Sequence, residues 1–210
     1  MTRRMVFESD LVSLSDPLKF ISFSDAYLDS AFRLCAVLKR SPRKSNYARG
    51  AVVLYLMFHA IELFLKGAIL ERKPKEDLRS HDIQDLSKRY NKLYPGMKYE
   101  FHGPFISRDE ADPSDLLSPE ILEGRKIYIK MNPSDQRYRY PKNQKGQPWD
   151  GLVGFKPESC LVVIKNLKTD IARLTSLIFP ANTVLRGTRG KAARPLARAA
   201  RTRWSTHDQA

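Results

Sequence analysis

Between Ala51 and Leu70 the chain reads AVVLYLMFHAIELFLKGAIL, twenty residues that are apolar almost all the way round and yet carry His59, Glu62 and Lys66. At about 100° per residue these three positions and Tyr55 fall within an arc of roughly 60°, so the stretch predicts a buried helix with one polar seam. An ionisable group taken out of water without a partner is strongly destabilising, and the seam therefore requires partners. Glu62 and Lys66 stand four apart in the favourable order for a helical ion pair, and His59 lies one turn before Glu62. Two readings follow from this pattern: a structural seam whose members satisfy one another, or a seam that binds or catalyses. The stretch is also about as long as a membrane span. An acid or base near its middle would cost roughly 2.5–3.5 kcal/mol each on insertion scales, and there is no second such stretch. A bundle helix, without a membrane partner, is the expectation.

The flanking sequence supplies further helices. Residues 1–22 read as an irregular lead-in punctuated by Asp16-Pro17, and Ser24 or Asp25 is placed to cap a first helix. Its apolar positions Tyr27, Leu28, Ala31, Phe32, Leu34, Cys35 and Leu38 carry it to about Arg40. Ser41-Pro42-Arg43 is a short basic turn, and Ser45 or Asn46 opens the long helix, which Lys73-Pro74 stops near Arg72. A third helix is predicted from about Ile83 to Tyr94, with Ser80, at the Ser80-His81-Asp82 step, as the capping candidate and Pro95-Gly96 as its end. Residues 97–156 change character. Prolines and glycines break the periodicity, Leu116 to Leu122 suggests a short helix, and KIYIK and RYRYP alternate like the strands of a small hairpin across Asn132-Pro133-Ser134-Asp135. Pro157-Glu158-Ser159 starts a last strong helix that ends at Phe179-Pro180. The expected fold class is all-α, an up-and-down four- or five-helix bundle with an irregular insertion, occupying residues 23–180.

The formal net charge is +14, of which residues 181–210 supply +6 through seven Arg and Lys against Asp208. That Ala-, Arg-, Gly- and Thr-rich tail is expected to be disordered. The body retains +8, which favours an anionic partner, nucleic acid being the commonest. Arg137-Tyr138-Arg139-Tyr140, followed by Lys142 and Lys145, interleaves cations with aromatic rings as nucleic-acid-binding surfaces do. The alternative is that the tyrosines pack the insertion onto the bundle while the arginines snorkel.

Four histidines at no ligand spacing and two distant cysteines, Cys35 and Cys160, give no built metal site, and no Gly-rich phosphate loop or nucleophile elbow is present. No cofactor is expected. Both cysteines sit in apolar helical patterns and read as core residues of a reducing compartment. The start, MTRRMVFESD, has no apolar run of the kind a signal peptide needs, so a cytoplasmic location is expected.

The run FHAIELFLKGAILERKPKEDLRSHDIQDL, with Glu62 and Lys66 in an apolar helix and His81 opening the next, resembles the HEPN superfamily (higher eukaryotes and prokaryotes nucleotide-binding domain). Arg139-Tyr140-Pro141 is similar to a later Arg-Tyr-Pro-like segment of that superfamily. The resemblance covers about residues 24–179, its specific part being Phe58 to Leu86. It implies a helical bundle that commonly forms homodimers and occurs in toxin–antitoxin, defence and RNA-processing systems. It also implies one of two activities: a metal-independent ribonuclease, or a non-catalytic module that binds nucleic acid or a cognate protein partner. The ribonucleases of the superfamily carry Arg, four to six residues, then His. Here Arg72, Arg79 and Arg49 stand at other distances from His81 and His59, and only Arg201 and His207 have the spacing, within the low-complexity tail. The residues to follow are therefore Glu62 and Lys66 with Arg137, Tyr138, Arg139 and Tyr140 as binding candidates, and His81, His59 and Arg79 as candidates for acid–base chemistry. A subunit whose basic tail merely tethers it is the third expectation.

Overall fold

The computed structural model describes residues 8–105, 134–143, 145–149 and 154–180. Among them the fold is all-α, with no strand: α1 (Asp16–Arg40), α2 (Tyr47–Arg72), α3 (Ile83–Leu93) and α4 (Pro157–Ile178), together with a single helical turn at Ser134–Arg137. α1 and α2 form the antiparallel hairpin, and α3 and α4 pack against it.

α2 is the axis of the bundle. Val53, Met57, Ala60, Ile61, Phe64, Leu65, Ala68 and Ile69 are all buried, so its apolar circumference is covered by protein on most sides. Among the described helices it alone has the length and composition to cross a membrane. α1 contributes the stripe Ile21, Leu28, Ala31, Cys35 and Leu38, and α4 contributes Cys160, Ile164, Leu167, Ile171, Leu174 and Ile178. These seven-residue recurrences bury one face of each helix, and each fully buried Leu or Ile contributes about 1.5–3 kcal/mol. Cys35 and Cys160 are free thiols inside this core, where burial pushes the Cys160 thiol up to about 12. Two glycines of α2 permit close approach. A Cβ at Gly67 would lie 2.9 Å from the Pro17 carbonyl of α1, and one at Gly50 would lie 2.4 Å from the Phe155 ring.

Several boundaries differ from the sequence expectation. α1 begins at Asp16, so residues 16–22, read as lead-in, are helical. Pro17 lies in the first turn, where its missing N–H has no helical partner to lose. Ser24 is consequently not a cap. It is buried in mid-helix and donates its hydroxyl to the Ala60 carbonyl at 2.6 Å, joining α1 to α2. Asn46 does cap α2, accepting from Arg49 N at 3.0 Å. The cap of α3 is Asp82, which accepts from Gln84 N at 2.8 Å, while Ser80 accepts from Asp82 N at 3.2 Å. The alternation of Arg137 to Tyr140 does not give a strand: the Gln136 carbonyl accepts from both Arg139 N and Tyr140 N at 3.0 and 2.9 Å, which closes a helical turn. The KIYIK segment, the 116–122 segment and the 181–210 tail lie outside the described residues.

Candidate functional site

The polar seam of α2 is assembled around one carboxylate. Glu62 is 2% exposed, and Lys66, one turn further on, is 6% exposed with its Nζ 2.8 Å from Glu62 Oε1. From the other direction His59 brings Nδ1 to 3.2 Å of Oε2. The third partner comes from outside the helix: the chain leaves α2 at Arg72, loops back, and just before the α3 cap places His81 Nδ1 2.9 Å from Glu62 Oε1. Burial alone would raise the Glu62 carboxyl. Hydrogen bonds from His59 and Lys66, together with their charges, outweigh it and hold the group down at about 2.

The protonation pattern follows from this. An ionised carboxylate only accepts, so both histidines meet it with Nδ1–H, and each ring carries its Nε2 on the side away from Glu62. The arrangement is that of a carboxylate-oriented histidine, made twice on a single carboxylate. An Nε2 lone pair held this way can take a proton from a bound hydroxyl, and the protonated ring can return one. His81 is largely open to solvent, with 65% of its side chain exposed, whereas His59 is mostly covered.

His59 is fixed by rings as well as by Glu62. Tyr27 of α1 meets it edge-on at 4.6 Å between centroids, and Tyr55 stacks on it at 5.8 Å with only 10° between the planes. Tyr55 in turn receives Arg139. The guanidinium donates to the Tyr55 hydroxyl at 2.7 Å and lies 5.0 Å from the ring centroid. The segment around Arg139 is held on the bundle by a ladder of rings, Tyr138 on Phe105 at 5.8 Å and Phe105 on Phe58 at 5.7 Å. Gln84 of α3 donates to the Phe105 carbonyl at 2.7 Å. A contiguous path thus runs from Arg139 through Tyr55 and His59 to Glu62, Lys66 and His81.

The candidates from sequence divide accordingly. Glu62, Lys66, His59, His81 and Arg139 converge. Arg137 is buried and Tyr138 packs on Phe105, so these two anchor the segment; Tyr140 is exposed beside Arg139, 5.9 Å from its guanidinium. Arg79 does not join them. It is exposed and grips Asp77 through Nε and Nη2 at 2.7–3.1 Å. His102 pairs with Glu100 at 2.8 Å, away from the seam's contacts. Arg201 and His207 lie outside the described residues. Tyr27 also belongs to the site, although its apolar spacing in α1 marks it only as a core position. Among the described residues no three His, Cys, Asp or Glu side chains are grouped to hold a metal ion. In comparisons with protein-family models, curated proteins and solved structures, nothing matches this chain.

Proposed function

We propose that this chain is a HEPN-like helical module that binds RNA across the α2 seam, in the RNA-metabolism, defence or toxin–antitoxin setting that the resemblance implies. The observation that supports it is the convergence of His81 and Arg139, from two separate segments, on the same face of α2. Arg139 offers a guanidinium for phosphate, Tyr140 an exposed ring for a base, and the two histidines offer Nε2 atoms to a ribose hydroxyl or phosphate oxygen. A charge of +8 on residues 1–180 attracts the polyanion.

A second reading has its own support. Two imidazoles oriented by one ionised carboxylate are the equipment of a metal-independent endoribonuclease: one ring takes the 2′-hydroxyl proton, the other protonates the leaving 5′-oxygen, and Arg139 faces the developing phosphorane charge. Incubating the purified chain with labelled RNA in EDTA separates the readings. Salt-dependent binding without cleavage, weakened by Arg139→Ala and His81→Ala, is the expected result. Cleavage that His81→Ala abolishes moves the conclusion to the nuclease. Failure of the wild type to bind or cleave RNA at low salt removes both and leaves a subunit whose partner is a protein.

A further inference from the structure

The seam is not the most concentrated positive charge on the bundle. Residues 39–49, which end α1, form the turn and begin α2, hold Lys39, Arg40, Arg43, Lys44 and Arg49 and no acid. All five side chains are exposed, and among the described residues none makes an ion pair with a carboxylate. Cations near the other end of the hairpin are placed differently: Lys73 pairs with Glu76, Arg79 with Asp77, and Arg89 with Asp85 and Glu76.

The turn is also well defined. Pro42–Lys44 is a tight helical turn closed by Lys44 N to the Ser41 carbonyl at 2.8 Å and Ser45 N to the Pro42 carbonyl at 2.9 Å. Arg49 reaches back to donate to the Lys44 carbonyl at 2.8 Å. Between Lys44 and Arg49, Tyr47 stands 49% exposed. Tyr47 lies two helical turns, about 12 Å along the axis, from Tyr55, which holds Arg139. Beyond Arg139 come exposed Tyr140, Lys142 and Lys145, again without an acid up to Trp149. The turn therefore adjoins the N-terminal half of α2, the half that Arg139 meets at Tyr55, and each group of cations has an exposed tyrosine.

We propose that the α1–α2 turn is a docking track for single-stranded RNA, leading a strand toward Arg139 and the seam; this rests on the RNA reading above. Lys39, Arg40, Arg43 and Lys44 take phosphates. Tyr47 and Tyr140 take unpaired bases, and this selects the single strand, because a duplex hides the faces of its bases. Cations without carboxylates have no internal anion to give up when a phosphate arrives, so their charge is available to it.

The test uses the full chain, a fluorescent 20-nucleotide single-stranded RNA, the same RNA as a duplex, and vesicles of neutral and anionic lipid. The variant Arg40→Gln, Arg43→Gln, Lys44→Gln changes only exposed side chains and is expected to melt as the wild type does. Each lost phosphate contact lowers the slope of log affinity against log salt by about 0.7, so the triple variant should lose about 2 from the slope. Tyr47→Ala should weaken single-strand binding by about tenfold and leave the duplex unaffected. An unchanged slope overturns the track; if Arg139→Ala still weakens binding, the seam reading survives without it. Loss of slope in the triple variant with no effect of Arg139→Ala or His81→Ala supports the track and overturns the seam as the RNA contact. Tighter binding to duplex overturns the single-strand assignment. Binding to anionic vesicles with none to RNA overturns both the track and the proposed function.

Discussion

Two groups of basic side chains on this bundle have opposite surroundings. At the seam, Lys66 and two histidines close on one buried carboxylate. In the turn between α1 and α2, five Lys and Arg side chains face water with no carboxylate paired to them among the described residues. The first group belongs to the folded interior, where each charge is tolerated because the others are present. The second contributes little to the fold, because solvated charges cost almost nothing to keep. The two differ in what they offer a ligand. Seam charges are already spent on one another, so their chemistry toward a ligand is directional and passes through Nε2 of the rings. Turn charges are a field, without direction and sensitive to salt.

The largest effect that follows is on stability. Glu62→Ala leaves the ammonium of Lys66, 6% exposed, buried without its carboxylate. Removing one partner of a buried pair costs about 3–5 kcal/mol, which for a domain of this size lowers the melting temperature by roughly 10 °C or more. Adding Lys66→Met removes the stranded charge and should recover much of the loss. A Glu62→Ala melt that matches the wild type would show the seam to be as dispensable to the fold as the turn, and the contrast between them would collapse.

Acid provides the next largest effect without any change of backbone. Burial pushes the Glu62 carboxyl up, but the His59 and Lys66 hydrogen bonds and charges pull it further down, to about 2 against 4.5 for the free group. A carboxyl depressed by folding stabilises the protein fully above the unfolded value and loses that contribution as pH falls from about 4.5 toward 2. The contribution at neutral pH is of the order of 3 kcal/mol. Urea midpoints of the wild type and Glu62→Gln should therefore differ most near pH 7 and converge below pH 3. Parallel profiles would mean that Glu62 titrates alike in the folded and unfolded chain.

The part of this site that lies within α2 is legible in the sequence, because a helix converts the spacing 55, 59, 62, 66 directly into one stripe. The fold class is legible for the same reason: the apolar stripes of α1, α3 and α4 are long enough for their period to be unambiguous. What comes from elsewhere is harder to read. His81 reaches Glu62 across nineteen residues and Arg139 reaches Tyr55 across eighty-four, and no periodicity encodes a contact made by a loop. The resemblance points to His81; nothing in the spacing does. RYRY is ambiguous because four residues of period two also fit the end of a helical turn, and the Gln136 carbonyl decides for the turn. Asp16-Pro17 resembles punctuation, yet the proline is compatible with a first helical turn and lies inside α1.

The smallest effect is expected at Arg79, and its smallness is what sharpens the comparison. Arg79 lies two residues from His81 and carries the same charge as any member of the turn, so proximity and composition alone would give it a share in RNA binding. Its hydrogen bonds to Asp77 hold that carboxyl at about 2, and the pair is fully in water. Solvent screens such a pair, so Arg79→Ala should melt within the scatter of repeated wild-type measurements. On the binding side, a phosphate approaching Arg79 must displace Asp77 or accept its repulsion. The salt slope for single-stranded RNA should therefore stay at the wild-type value, whereas Arg43→Gln alone should lower it by about 0.7. If the two substitutions lower the slope equally, pairing with a carboxylate does not decide which cations meet the phosphates. The strand would then be following total charge across the whole hairpin instead of the turn.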